Sequence, residues 1–185
     1  MAAVWIAAAL AAAIVVWGVV TFNRLVRARN AVREAWAQID VQLAQRAALV
    51  PQLVEAVKGY RDHEAATLEA VVEARTGVET ARGPASAGVA DDRLEASLTR
   101  LYALAEAYPE LEADRAFLDL QARLTALEDD VMAARRYYNA LVARYDTTRE
   151  TFPTLLLAGP LGFGECEYFK AEDDARRVPD VGVES

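Results

Sequence analysis

From Ala2 to Phe22 the chain carries no charged side chain, and its apolar residues cover every face of a helix rather than one stripe. At the α-helical rise such a segment would be roughly 30 Å long, about the thickness of a bilayer's hydrocarbon core. The pattern changes at Asn23. Beyond it, apolar residues recur in steps of three and four, at Leu25, Val32, Trp36, Ile39, Leu43 and Ala47, which places them on one side of a helix. No breaker separates the two patterns, so the apolar run is expected to continue into an amphipathic helix. Pro51 is the first punctuation mark. Val50 before it is biased away from helical geometry, whereas Pro suits a helix's first turn. A second helix is expected from Pro51 to about Arg82, with Val54, Val57, Leu68, Val71 and Val78 as its apolar positions. The alternative is one kinked helix, because the stripe keeps its phase across Pro51 and no Gly, Asn or Asp stands there to turn the chain.

Gly83, Pro84, Ser86 and Gly88 read as a loop. A third helix is expected from about Asp91 to Ala107, capped by Asp91 or Asp92 and ended at Tyr108-Pro109. Asp114 can cap the last helix. Along it Phe117, Leu120, Leu124, Leu127, Val131, Ala134, Tyr138, Leu141, Tyr145, Thr148 and Phe152 alternate in steps of three and four, a sustained heptad pattern. The helix should end at Phe152-Pro153. The stretch from Leu155 to Phe163 is apolar but interrupted by Gly159, Pro160 and Gly162, and so suits neither a long helix nor a membrane span. Residues 170–185 are charged and expected to be mobile. Strand-like alternation is nearly absent. The pattern predicts an all-α chain: an anchor over residues 1–22, a helical bundle over 23–153, and an apolar, then acidic, tail over 154–185. If four helices alternate in direction, the fourth returns toward the membrane and brings the tail close to lipid. If the first helix merely kinks, the tail could lie at the far end instead. Either the tail touches lipid or it covers the end of the bundle.

Charge adds an orientation. No Lys or Arg precedes Arg24, which argues against a cleaved signal peptide with its basic leading region. Arg24, Arg27, Arg29 and Arg33 follow the apolar run directly, and basic residues are retained on the cytoplasmic side. The N-terminus is therefore expected outside a bacterial cytoplasmic membrane and the bulk of this single-pass protein inside, with the four arginines near anionic headgroups. A net charge of −8 excludes a general nucleic-acid binder, which needs a basic footprint. The one cysteine, Cys166, permits no internal disulfide. The one histidine, His63, has Thr67 where a zinc-peptidase helix needs a second histidine, and no Glu three residues before it as di-iron bundles require. No nucleophile elbow, phosphate loop or Cys/His cluster is present in the sequence, so no catalytic, cofactor or metal site is expected. One polar set stands apart. Asn30 and Asp40 lie beside the first helix's stripe, and Glu128, Arg135, Arg136 and Asn139 beside the last one's. A partly buried polar layer that fixes register would result if those helices are neighbours; the plainer reading is surface charge.

Particular strings resemble the LemA family of bacterial membrane proteins: Arg29-Asn30 with Glu34-Ala35-Trp36, Ile39-Asp40-Val41-Gln42-Leu43, and Leu49-Val50-Pro51-Gln52-Leu53-Val54. So do Val57-Lys58-Gly59-Tyr60 with His63-Glu64, Glu106-Ala107-Tyr108-Pro109, Arg135-Arg136-Tyr137-Tyr138-Asn139, and Phe152-Pro153 followed by Gly162-Phe163. The likeness spans about Phe22 to Phe169, in order. It implies an N-terminal transmembrane helix followed by an antiparallel up-and-down four-helix bundle, and favours a helix–helix turn at Pro51. It implies no established enzymatic activity. Members often stand beside TPM-domain proteins or membrane zinc peptidases, which points to a scaffold or adaptor at the membrane, and self-association into a homo-oligomer is a further expectation. Direct membrane shaping or lipid binding, through the juxtamembrane arginines and the apolar tail, is the alternative. Glu112 replaces a usual Lys, Asp146 a usual Asn, and Pro160 interrupts the usual apolar tail; none of these threatens the fold.

Overall fold

The computed structural model describes residues 1–58 and 65–169. His63 and the charged tail over 170–185 lie outside them. The described residues form helices and connecting turns: α1 (Ala2–Lys58), α2 (Ala65–Thr80), α3 (Pro84–Ala105), α4 (Pro109–Glu112), α5 (Arg115–Glu150) and α6 (Leu155–Ala158).

The chain does not reverse at Pro51. α1 passes through it and continues to Lys58, against the turn that the family likeness favours. Proline normally breaks a helix because it lacks an N–H and leaves the carbonyl four residues earlier without its partner. Here that carbonyl belongs to Ala47, and the Arg75 guanidinium on α2 donates a hydrogen bond to it at 3.1 Å. Pro51 itself is exposed, while Val50, Leu53, Val54 and Val57 on the other side are buried. The apolar stripe and an arginine from a neighbouring helix together carry α1 across the proline.

The expected loop at Gly83–Gly88 is shorter than its composition suggests. Of Gly83, Pro84, Ser86 and Gly88, only Gly83 lies in the connection, residues 81–83, where its φ is 82°, and Pro84 opens α3. Proline is compatible with a first helical turn because its missing N–H would be unpaired there anyway. The Ser86 hydroxyl accepts from the Arg82 N–H at 2.9 Å and donates to the Arg82 carbonyl at 2.6 Å, tying the turn together. Asp91 is therefore no cap; it lies inside α3 and is buried. Asp114 does cap α5: its Oδ1 accepts from the Ala116 and Phe117 N–H groups at 2.7 and 3.1 Å.

The described residues fall into two compact units: Met1–Ala37 with Arg136–Glu167, and residues between Gln38 and Arg135 with Tyr168 and Phe169. In the first, α1 and α5 run antiparallel. Trp36 faces Tyr138 with ring centroids 6.1 Å apart, and nearer the N-terminus Phe22 meets Phe163 at 5.6 Å edge to face. After α6 the chain turns at Gly162, whose φ of 73° favours glycine, and runs back along α5. The Tyr145 hydroxyl donates to the Gly164 carbonyl at 2.8 Å and Tyr138 to the Glu167 carbonyl at 2.6 Å. In the second unit, the core is built from stripes on the C-terminal part of α1, on α2 and α3, and on the N-terminal part of α5, with Leu53, Val71, Leu94, Leu101 and Leu124 at its centre. The heptad stripe of α5 is asymmetric. Phe117, Leu124, Val131, Tyr138 and Tyr145, seven residues apart, are all buried. Leu127, Ala134, Leu141 and Thr148 are half-buried, and Phe152 at the end is 75% exposed.

Candidate functional site

Within the first unit the notable surface is the apolar one. α1 is the one helix among the described residues long and apolar enough to cross a membrane, and none of the most apolar window within it is buried. The arginines behind it divide. Arg24, Arg27 and Arg33 are exposed, with Arg27 Nε donating to the Asn23 carbonyl at 3.3 Å. Arg29 is half-buried and its guanidinium lies 4.8 Å from the centre of the Phe163 ring, a cation–π distance. Three of the four thus reach solvent, and the fourth stacks on Phe163 in the strap, the segment that runs back along α5 after α6. Beside this strap Arg149 pairs with Glu150 at 2.8 Å and Glu165 at 3.1 Å. Burial and then the neighbouring Asp146 push the Cys166 thiol above its ordinary range, the opposite of what a thiolate nucleophile requires.

The expected polar layer does not form as read. Asn30 and Arg136 in the first unit are exposed, and Asn139 is half-buried; Asp40 in the second unit is exposed. The geometry explains this: Asn30 stands two residues before Val32, Asp40 one after Ile39, and Arg136 two before Tyr138. Such offsets point away from the stripe on a 3.6-residue helix. Arg135 is drawn in, with its guanidinium 5.3 Å from the Phe169 ring centre and 3.5 Å from Asp92 Oδ1.

Glu128 belongs to a different cluster, inside the second unit. Arg46, 1% exposed, donates from Nη1 to Asp91 Oδ1 at 2.7 Å and from Nη2 to Glu128 Oε2 at 3.4 Å. One cation thereby joins α1, α3 and α5. Burial raises the pKa values of Asp91 and Glu128, and Arg46 offsets this in part. Burial also pushes the Tyr102 phenol up to about 12. The Tyr102 hydroxyl and Arg46 Nε are buried without a hydrogen-bond partner among the described residues. Chemically this is a buried ion-pair lock: the guanidinium is committed to two carboxylates. Its signal was present in the sequence. Arg46 stands three residues after Leu43 and four before Val50, within the apolar stripe, and Asp91 stands three before Leu94. Composition alone hid it, because charged residues on helices are usually solvated. Among the described residues no group of three or more His, Cys, Asp or Glu is placed to hold a metal ion.

The protein called LemA in Metamycoplasma hominis is 23% identical over 158 residues, covering 83% of this chain and 71% of that relative. The LemA family model matches residues 35–182, beginning after the apolar run and taking in α2 to α6 with the strap. A match over that much of the sequence, with α1 as a candidate membrane helix, places the chain in the LemA family.

Proposed function

We propose that this protein is a membrane-anchored helical scaffold or adaptor on the cytoplasmic face of a bacterial membrane, without a reaction of its own. The observation that carries the reading is the continuity of α1. One uninterrupted helix includes the exposed apolar run and then contributes Leu25 and Val32 to the core of the first unit and Ile39 and Leu43 to that of the second. An anchor joined to packed helices without a linker suits a protein that holds a surface at a set distance from the bilayer. On this reading the part of α1 beyond the anchor packs with α2, α3 and α5 as an up-and-down four-helix bundle, and the N-terminus faces outward.

The surface offered to a partner includes the open groove between α2 and α3, lined by Gly77, Ala81, Ala90 and the arginines Arg82, Arg93 and Arg100. A TPM-domain protein, a membrane zinc peptidase or a second copy of the chain are the partners to look for. The test is in-cell photocrosslinking from position 89, an exposed Val on that groove, followed by mass spectrometry of the adducts. The expected result is one specific second protein. Adducts of this chain alone would replace an adaptor with a self-assembling scaffold. A purified full chain that turns over a substrate, and stops on one polar substitution, would overturn the reading.

A further inference from the structure

The apolar turn around α6 has a fixed depth relative to the membrane anchor. Within the first unit, Trp36 on α1 is level with Tyr138 on α5. The two helices run antiparallel, so moving twelve residues forward along α5 to its end at Glu150 matches moving twelve back along α1 to Arg24, about 18 Å at the helical rise. Phe152 follows two residues later in the turn, at about the level of Phe22, the last residue of the apolar run. Phe163 confirms the level from the other side of the turn, because its ring lies 5.6 Å from that of Phe22. Between them are Leu155, Leu156 and Leu161, exposed by 52, 62 and 45%. With Phe152 and Phe22, they form an apolar surface at the plane where α1 leaves the hydrocarbon. Single exposed apolar residues are ordinary, but several together at one depth mark a contact surface.

We infer that this turn is a second membrane contact: residues 152–161 lie in the interfacial layer of the same bilayer that α1 spans, with Leu155, Leu156 and Leu161 at the acyl–headgroup boundary. The occupant is lipid rather than a protein partner because the surface is continuous with the apolar run and sits at its end. Arg24 and Arg27, exposed one turn beyond Phe22, stand at headgroup level beside it. The turn's make-up suits shallow insertion. It is too short to span, its helix is one turn long, and Gly159, Pro160 and Gly162 bring the chain back out. The inference rests on the anchored reading and deepens it: the protein holds the bilayer at two points, which fixes the tilt of its first unit against the membrane as well as its distance from it.

The test uses the full chain, reconstituted in phosphatidylcholine–phosphatidylglycerol vesicles. An environment-sensitive fluorophore is placed on single cysteines in a Cys166→Ser background: Leu156→Cys in the turn, Val15→Cys in the anchor and Val89→Cys on α3. Lipids spin-labelled near the headgroup or deep in the chain serve as quenchers. At position 156 the expected result is a blue-shifted emission quenched more strongly by the shallow label than by the deep one. Position 15 should be quenched more by the deep label, and position 89 by neither. An unquenched label at 156 beside a quenched one at 15 overturns the inference and leaves the anchor intact. A blue shift at 156 without quenching by lipid also overturns it, because protein then covers the turn. An unquenched label at 15 removes the anchored reading itself.

Discussion

Arg46 shows how one residue can be both costly and fixed in place. Its guanidinium is buried among apolar side chains, with Asp91 at 2.7 Å and Glu128 at 3.4 Å as its ionic partners. Replacing a buried ion pair with apolar groups is often tolerated, whereas removing one partner strands the other. Arg46→Ala is therefore expected to destabilise the chain by about 3–5 kcal/mol, because it leaves the buried Asp91 without a counter-charge. Arg46→Met with Asp91→Leu should recover most of that loss. Chemical unfolding of the full chain in detergent micelles, followed by circular dichroism, measures both. The carboxylates add a pH dependence. Burial lifts the folded pKa of Glu128 above its ordinary value of 4.5, so the folded state binds that proton more tightly than the unfolded chain does. Its contribution is then fully present below the unfolded value and is lost as pH rises through the folded one. Relative to the native protein, Glu128→Gln should gain stability as pH rises through the window just above 4.5, which a series of melting temperatures would show. Of the polar residues singled out by spacing, Glu128 lies in this cluster, while Asn30, Asp40 and Arg136 stand off their stripes and reach solvent. The ion pair itself was harder to read, because the fold and not the local pattern brings α1, α3 and α5 together at one side chain.

At the scale of the element, α1 is decided by a long-range contact. The sequence around Pro51 supports both a turn and a continuous helix, and the choice falls to Arg75, which is twenty-eight residues from Ala47 and donates to its carbonyl. Arg75→Ala is expected to cost about 1–3 kcal/mol, the range for a buried acceptor left unpaired. In a Pro51→Ala background the cost should nearly vanish, since residue 51 then supplies its own N–H to Ala47. That non-additivity, read in a double-mutant cycle by denaturant unfolding, separates hydrogen-bond replacement from loss of the Arg75–Glu79 ion pair at 2.6 Å, which is present in both backgrounds. The course of the helix can be measured directly. Spin labels at Gln38 and Lys58 should lie about 30 Å apart along a continuous helix, and far closer if the chain turned back at Pro51. The elements that periodicity alone determined are the ones the sequence made legible. The α5 heptads from Phe117 to Tyr145 face the core, and Asp114 caps their helix. Where punctuation residues were the guide, the boundaries moved. Pro84 and Gly88 lie inside α3 because a proline in the first turn and a buried glycine are both compatible with it.

The charge along α1 is asymmetric, and on the anchored reading proposed above that asymmetry would set which way the helix inserts. No Lys or Arg stands before the apolar run; after it come Arg24, Arg27, Arg29 and Arg33, with Glu34 the first acidic residue. Translocating such a cluster is disfavoured, and acidic residues count for little in orientation, so the chain's net charge of −8 does not oppose the local bias. Arg29 is further held by the Phe163 ring, so it stays on the side where the strap folds. In intact spheroplasts, an Ala3→Cys variant in the Cys166→Ser background should react with a membrane-impermeant maleimide. A Val89→Cys variant in that background should react only after permeabilisation. Equal labelling of both in intact cells would place the folded units outside and defeat the cytoplasmic assignment. Exchanging the bias should then exchange the pattern: three lysines inserted before Val4, with Arg24 and Arg27 changed to Gln, are expected to leave a measurable fraction inverted. Inversion would be partial, because α1 enters the membrane as one helix and Arg29 and Arg33 still follow it. A fully unchanged labelling pattern would mean that folding of the units behind the anchor, rather than charge at its flank, decides the orientation.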